Sequence, residues 1–69
     1  MKGALTMYTI YNVSTNQNGV AYHSLREAMY MAHAFSVMRH NERYVMDCTT
    51  GEILGMVDDG KWTYKAVGI

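Results

Sequence analysis

One segment of this 69-residue chain, with the sequence SLREAMYMAHAFSVMRHN, constrains the fold more than any other. It contains no glycine or proline, and most of its residues have high helix propensity. At its start, Ser24 and Glu27 form a capping box, in which each side chain satisfies a backbone N–H of the other residue. At its end, Arg39 suits the negative end of the helix dipole and Asn41 suits the position just past the last turn. The sequence therefore predicts one helix over residues 24–41.

This helix is apolar on two separate faces when its residues are projected at about 100° each. The wider face spans roughly 140°, which is typical of a helix that packs on a core. It holds Leu25, Ala28, Met31, Ala32, Phe35 and Met38. We expect it to lie on a sheet, against core residues Ile10, Met46, Ile53 and Val57.

The second apolar face consists of Tyr30, Ala34 and Val37, which we call the helix seam. An apolar strip with a polar rim is typical of a protein interface, and the rim here is Arg26, His33 and Arg39. A small domain has one core, so the seam predicts a partner, most simply a second copy in a symmetric dimer. The alternative is that a curled sheet or the first six residues cover the seam.

Five segments outside the helix are rich in β-branched and aromatic residues and predict strands. They are Met7–Val13, Val20–Tyr22, Arg43–Cys48, Ile53–Val57 and Trp62–Val67. The second is only three residues long, little more than a bridge. Polar turns separate these segments, and we expect positive φ at Asn18-Gly19 and at Gly51.

These elements predict a single α+β domain over residues 1–69. It has one antiparallel sheet of three to five strands with a single helix packed across it, in the order β(β)αβββ. If Met7 is the natural start, residues 1–6 are a dispensable, disordered tail.

Charge argues against a nucleic-acid-binding or strongly acidic protein, because six basic and six acidic residues cancel. Proteins that bind phosphate backbones usually carry a basic patch. A nucleic-acid-binding regulator stays as the alternative, and it would use Arg39, Arg43, Lys61 and Lys65. The bases of a bound nucleic acid could stack on the aromatic residues of the sheet. If the protein does not bind nucleic acid, we expect Trp62 and Tyr44 to cap the core.

The chain carries no catalytic or cofactor motif, so we expect a protein that is not an enzyme and binds no cofactor or metal. His33 and His40 are two helical turns apart, about 10.5 Å along the axis, too far for one metal ion. Cys48 is the only cysteine, and we expect it to be a small buried residue. A lone cysteine, the lack of a secretory signal and the lack of a membrane-spanning run predict a cytoplasmic protein.

Two segments resemble small accessory proteins of bacteriophages at the level of pattern. They are GVAYHSLREAMYMAHAF, with a strand and a capped S-L-x-E-A helix, and YVMDCTTGEILGMVDDGKW, with a T-G-E hairpin that ends in G-K-W. The resemblance implies a non-enzymatic protein that binds a host machine and blocks it, as anti-CRISPR proteins and inhibitors of host polymerase do. If the helix seam forms a dimer, the target is expected to bind the outer sheet face or the turn around Asp58 and Asp59.

Overall fold

A computed structural model describes residues 6–66 and 68 of the chain. These residues form strands β1 (Tyr8–Asn12) and β2 (Gln17–Tyr22), helix α1 (Leu25–Arg39), and strands β3 (Glu42–Asp47), β4 (Ile53–Asp58) and β5 (Lys61–Lys65). The strands make one antiparallel sheet in the order β2-β1-β3-β4-β5. The helix packs on this sheet, which confirms the α+β prediction. Of the predicted tail, only Thr6 lies within the described residues, and it is exposed.

The first hairpin turns earlier than predicted, so β2 is twice as long as expected. The Oδ1 atom of Asn12 accepts hydrogen bonds from the N–H groups of Ser14 and Thr15, at 3.0 and 3.4 Å. The N–H of Asn16 donates to the Asn12 carbonyl at 2.8 Å, and Asn16 has φ 59°. The prediction of positive φ at Asn18-Gly19 was therefore wrong, because the Asn12 side chain nucleates a turn that ends at Asn16.

The β3–β4 turn is built in the same way. Asp47 Oδ1 accepts from the N–H groups of Thr49 and Thr50, at 2.7 and 3.2 Å. Gly51 donates to the Asp47 carbonyl at 2.8 Å and has φ 76°, as predicted. The β4–β5 turn has two positive φ angles, 49° at Asp59 and 81° at Gly60, which match the tight hairpin turns that follow the twist of the strands.

The helix begins as predicted and ends one residue early. Ser24 Oγ accepts from the N–H of Glu27 at 3.3 Å. At the other end His40, with φ 53°, takes the left-handed position, and its N–H donates to the Ser36 carbonyl. The expectation that Asn41 takes this position was wrong, because histidine also tolerates the left-handed region and the chain turns there into β3.

The core lies between the helix and the middle strands, and its buried residues are Ile10, Ala28, Ala32, Val45 and Val57. Partly buried Leu25, Met29, Met31, Phe35 and Trp62 surround them. The prediction placed Met38 in this face, but Met38 is 63% exposed and Ser36 is buried in the core-facing strip. The helix is thus rotated relative to the prediction. Buried Ser36 accepts a hydrogen bond from the Gly60 N–H of the β4–β5 turn, a contact that a count of apolar residues cannot detect.

The sheet also presents different residues to the helix than predicted. Val45 pairs with Ile10 and is fully buried, whereas Met46 pairs with Thr9. Ile53 pairs with Met46 and so shares its face. Adjacent residues of a strand point to opposite faces, so the expectation that Met46 and Ile53 pack on the helix was wrong.

Gly55 in β4 is packed closely against side chains of the helix and of β5. A Cβ atom at Gly55 would lie 2.9 Å from a ring carbon of Trp62 and 3.2 Å from the sulfur of Met29. We expect Gly55→Ala to lower the free energy of unfolding by about 1 kcal/mol, because the cost of overpacking exceeds what alanine gains over glycine in a strand.

The matched control is Gly19→Ala in β2, whose Cβ would meet only the Ile10 carbonyl oxygen, at an ordinary 3.4 Å. We expect this variant to be neutral or slightly more stable than the wild type. Urea denaturation measures the free energy of unfolding of both variants. Equal stability of the two variants would contradict the close packing at Gly55.

Candidate protein interface

The helix seam is open to solvent on the side of the helix that faces away from the sheet. Tyr30 is 72% exposed and Val37 42%, and Ala34 between them is partly exposed. Met38, beside the seam, extends the apolar surface. The described part of the sheet packs on the opposite side of the helix, so none of its strands covers this face.

The β4–β5 turn forms one flank of the helix seam. Val37 packs directly on the backbone of Gly60, since a Cβ atom built there would lie 2.7 Å from Val37 Cγ2. The Gly60 N–H donates to Ser36 Oγ at 2.9 Å, and the Asp59 N–H donates to the Asn41 carbonyl at 3.3 Å. These contacts join the turn to the last helical turn and hold one border of the seam in place.

His40 adds a side-chain contact at the same junction. Its Nδ1 atom lies 3.0 Å from Asp59 Oδ1, and both side chains are mostly exposed. An exposed pair of this kind contributes little stability, so the buried Ser36 bond is the stronger link between helix and turn.

The predicted rim residues lie in two different places. Arg26 and His33 are exposed along the flank of the seam, and His33 Nε2 lies near Gly60. Arg39 is also exposed, but it lies about 140° around the helix from Ala34 at 100° per residue, toward Arg43. Arg26 and His33 can therefore contact a partner on the seam, whereas Arg39 sits nearer the sheet.

Arg43 is engaged in packing within the chain. Its guanidinium lies over the Phe35 ring, 5.4 Å from the centroid, and its Nε donates to Asn41 Oδ1 at 3.1 Å. Burial, and to a smaller degree the charge of Arg39, lower the pKa of Arg43 from its ordinary value. Arg43 is thus a structural cation that closes the end of the core.

The sheet face away from the helix carries a second apolar surface, whose row of residues the sequence did not predict. Tyr11, Tyr44, Met56 and Tyr64 are successive cross-strand partners on β1, β3, β4 and β5. We call these four residues the tyrosine row. The rings of Tyr11 and Tyr44 are stacked, with centroids 6.0 Å apart and planes inclined by 26°. A parallel row of Thr9, Met46 and Ile53 lies beside it.

Acidic residues border the tyrosine row on the side opposite Met46 and Ile53. Glu42 and Asp58 are cross-strand partners, and Glu42 shares the face of Tyr44, two residues further along β3. Lys61 pairs with Asp58 across the hairpin. Together these three side chains give this side of the row a net negative charge.

The aromatic residues that could stack bases are divided between the two faces of the sheet. Trp62 packs against the core on the helix side, where Lys65 Nζ lies 5.5 Å from its ring centroid. Tyr8 also packs against the core, whereas Tyr44 lies on the other face, so the expectation that Tyr44 caps the core was wrong. Of the cations proposed for nucleic acid, Arg43 and Lys65 thus lie away from the tyrosine row.

No group of three His, Cys, Asp or Glu side chains within the described residues could hold a metal ion, and their surface has no enclosed pocket. Cys48 is exposed, which corrects the prediction of a buried thiol: it follows β3 at the sheet end, outside the core. Within the same residues, no helix has the length and apolar character needed to cross a membrane.

No protein-family model, curated protein or solved structure matches this chain. The helix seam is an exposed apolar surface, and the tyrosine row is a half-buried one with Tyr64 exposed.

The tyrosine row had a partial signal in the sequence. Tyr11 and Tyr44 each stand next to a core residue, Ile10 and Val45, which places them on the opposite face of their strands. Their alignment in one row depends on the register between strands. That register could not be predicted, because it shifts at Val45/Met46 between β3 and β4 and at Met56/Val57 between β4 and β5.

Proposed function

We propose that this chain is a non-enzymatic protein–protein interaction module that works as a homodimer and blocks a larger protein by occupying its surface. The observation that carries the proposal is the exposure of the helix seam, where Tyr30 leaves 72% of its surface uncovered. Contiguous exposed apolar surface with a polar rim is typical of interaction sites. The resemblance to phage proteins that act on host machines supports a target in the cytoplasm of a host cell.

A second copy of the chain suits the helix seam because the seam is nearly self-complementary about Ala34. Tyr30 lies about 6 Å before Ala34 along the helix axis, and Met38 lies about 6 Å after it. In an antiparallel helix pair with its two-fold axis at Ala34, Tyr30 of each copy meets Val37 and Met38 of the other. Methionine sulfur packs favourably on aromatic rings, and alanine at the centre lets the two backbones approach closely.

Such an interface is small, because one helix face supplies it. Interfaces below about 1,200 Å² are usually weak or transient, so we expect a dissociation constant in the micromolar range. The dimer should therefore dissociate on dilution.

Light scattering on the eluting protein tests the dimer. At several hundred micromolar we expect a mass close to that of two 7.8 kDa chains, falling toward one chain on dilution to about 1 µM. Hydrogen exchange should show slower amide exchange in the second half of α1 at high concentration. A mass of one chain throughout, or protection confined to the sheet, would contradict dimerisation through the seam.

The blocking role is tested by affinity capture from a host lysate, followed by assay of the captured protein. We expect the purified target to lose activity when the chain is added in equal amount. A target that binds the chain and stays fully active would contradict the blocking mechanism while leaving the interaction itself in place.

A further inference from the structure

We propose that the outer sheet face, centred on the tyrosine row, binds the target, and that the segment it binds carries arginine or lysine next to apolar or aromatic side chains. This proposal rests on the proposed function, because it names the site and the chemistry of the protein partner. The helix seam is then left for the second copy of the chain.

The composition of this sheet face departs from what solvent alone would favour. An antiparallel sheet with one face in water normally alternates apolar residues inward with polar residues outward. Here the outward positions hold the tyrosine row and, beside it, Met46 and Ile53. Tyr64 is 44% exposed, while Tyr11, Tyr44 and Met56 are half-buried and Thr9 beside them is buried, so the row is most accessible at Tyr64. Departures of this kind are expected where a surface is functional.

The tyrosines offer a specific chemistry to a partner. Tyr11 and Tyr44 are held in a stacked pair, so their ring orientation is already set before binding. Rigid tyrosines supply contact area at low entropic cost, and their ring faces attract cations. The same chain uses that attraction within its own fold at Phe35 and Trp62, where Arg43 and Lys65 lie over the rings.

The charged residues around the tyrosine row indicate the kind of partner that this face binds. Glu42 and Asp58 place two carboxylates on one side of the row, with Lys61 opposite Asp58, so this border carries a net negative charge that a cation from outside can pair with. Arg43 and Lys65 occupy the helix side of the sheet instead. A cationic protein segment is therefore favoured over a phosphate backbone, which the carboxylates would repel.

A second copy on the helix seam and a target on the tyrosine row can bind at the same time. The seam faces away from the sheet, and the row lies on the sheet face away from the helix. Dimerisation through the seam leaves both tyrosine rows facing outward. Each dimer then presents two target sites, which raises the avidity for a target that is repeated in an assembly.

The test is selection of a random 12-residue peptide display library on the wild-type protein. We expect the selected peptides to be rich in Arg or Lys beside aromatic or apolar residues. The best synthetic peptide should bind at least tenfold more weakly to Tyr44→Ala and to Tyr64→Ala, with Tyr64 exposed enough for that variant to keep its fold. Val20→Ala is the matched control, since Val20 is 72% exposed in the edge strand β2 and belongs to neither surface, and it should bind within twofold of the wild type.

A charge reversal tests the second part of the proposal. Selection on Glu42→Arg should shift the peptide pool from cationic to neutral or acidic. A pool without excess cations, or one unchanged by Glu42→Arg, would overturn the assignment of a cationic partner.

Other outcomes would place the site or its occupant elsewhere, and each overturns the proposal. Peptide binding lost in Tyr30→Ala and kept in Tyr44→Ala would move the target to the helix seam, with the interaction function intact. A folded Tyr44→Ala that becomes monomeric would make a second copy the occupant of the sheet face. Binding of a 30-nucleotide poly(U) RNA that is lost in Tyr44→Ala would make the occupant a nucleic acid.

Discussion

Ala34→Arg is expected to separate the dimer into single chains without unfolding them. Ala34 is the central residue of the helix seam, so a guanidinium there forces the two helices apart and sets two like charges against each other. We expect the dissociation constant to rise at least 100-fold, about 2.7 kcal/mol. The fold should survive, because position 34 faces away from the core and arginine has high helix propensity. Light scattering and a thermal melt measure the two effects.

The matched control is Ala21→Arg, which adds the same side chain at an exposed position in the edge strand β2. We expect this variant to keep the mass and concentration dependence of the wild type. If Ala34→Arg kept the same assembly and still bound its target, the seam would be neither the dimer contact nor the target site. If it unfolded, position 34 would belong to the core.

Ser36→Ala is expected to loosen the junction between the helix and the β4–β5 turn. Ser36 is fully buried, and its Oγ accepts from the Gly60 N–H at 2.9 Å while it donates to the His33 carbonyl at 2.8 Å. A buried donor left without a partner costs about 1–3 kcal/mol. Alanine recovers about 0.5 kcal/mol in helix propensity, so we expect a net loss of about 2 kcal/mol. Urea denaturation gives the change in stability.

Exchange of the Gly60 amide distinguishes this local effect from general weakening. We expect it to accelerate more than the amides of β1 and β3, because only the turn loses its contact. The control is Thr63→Val, which removes an exposed bond to the Met56 carbonyl and should change stability by less than about 0.5 kcal/mol. A Ser36→Ala variant as stable as Thr63→Val would mean that water replaces the lost hydroxyl.

Most of the local structure could be predicted because its causes lie within a few residues of one another. The helix start depends on Ser24 and Glu27, three positions apart. The left-handed residue of the β3–β4 turn was found because only glycine adopts that conformation freely. The first turn was predicted at the wrong residues. It is built by the Asn12 side chain and by Asn16 in the left-handed conformation, and asparagine indicates such a turn less distinctly than glycine does.

The helix seam could also be predicted, since the angle between two helix faces depends only on spacing along the chain. The contact between the helix seam and the β4–β5 turn could not be predicted from the sequence. The β4–β5 turn reaches the helix through Ser36 and Gly60, 24 residues apart, and no short-range pattern relates them. Ser36, which accepts this bond, is buried, while Met38 is exposed.

The sequence by itself determined the helix and the order β(β)αβββ along the chain, because capping, alternation and turn chemistry act over short distances, and it left open whether Val20–Tyr22 is a strand. Tertiary structure alone decided that Val45 rather than Met46 faces the helix, and that Tyr11, Tyr44, Met56 and Tyr64 meet in one row. The reason is that strand register depends on the alignment of distant segments. A shift of one residue would send each of these side chains to the opposite face of the sheet.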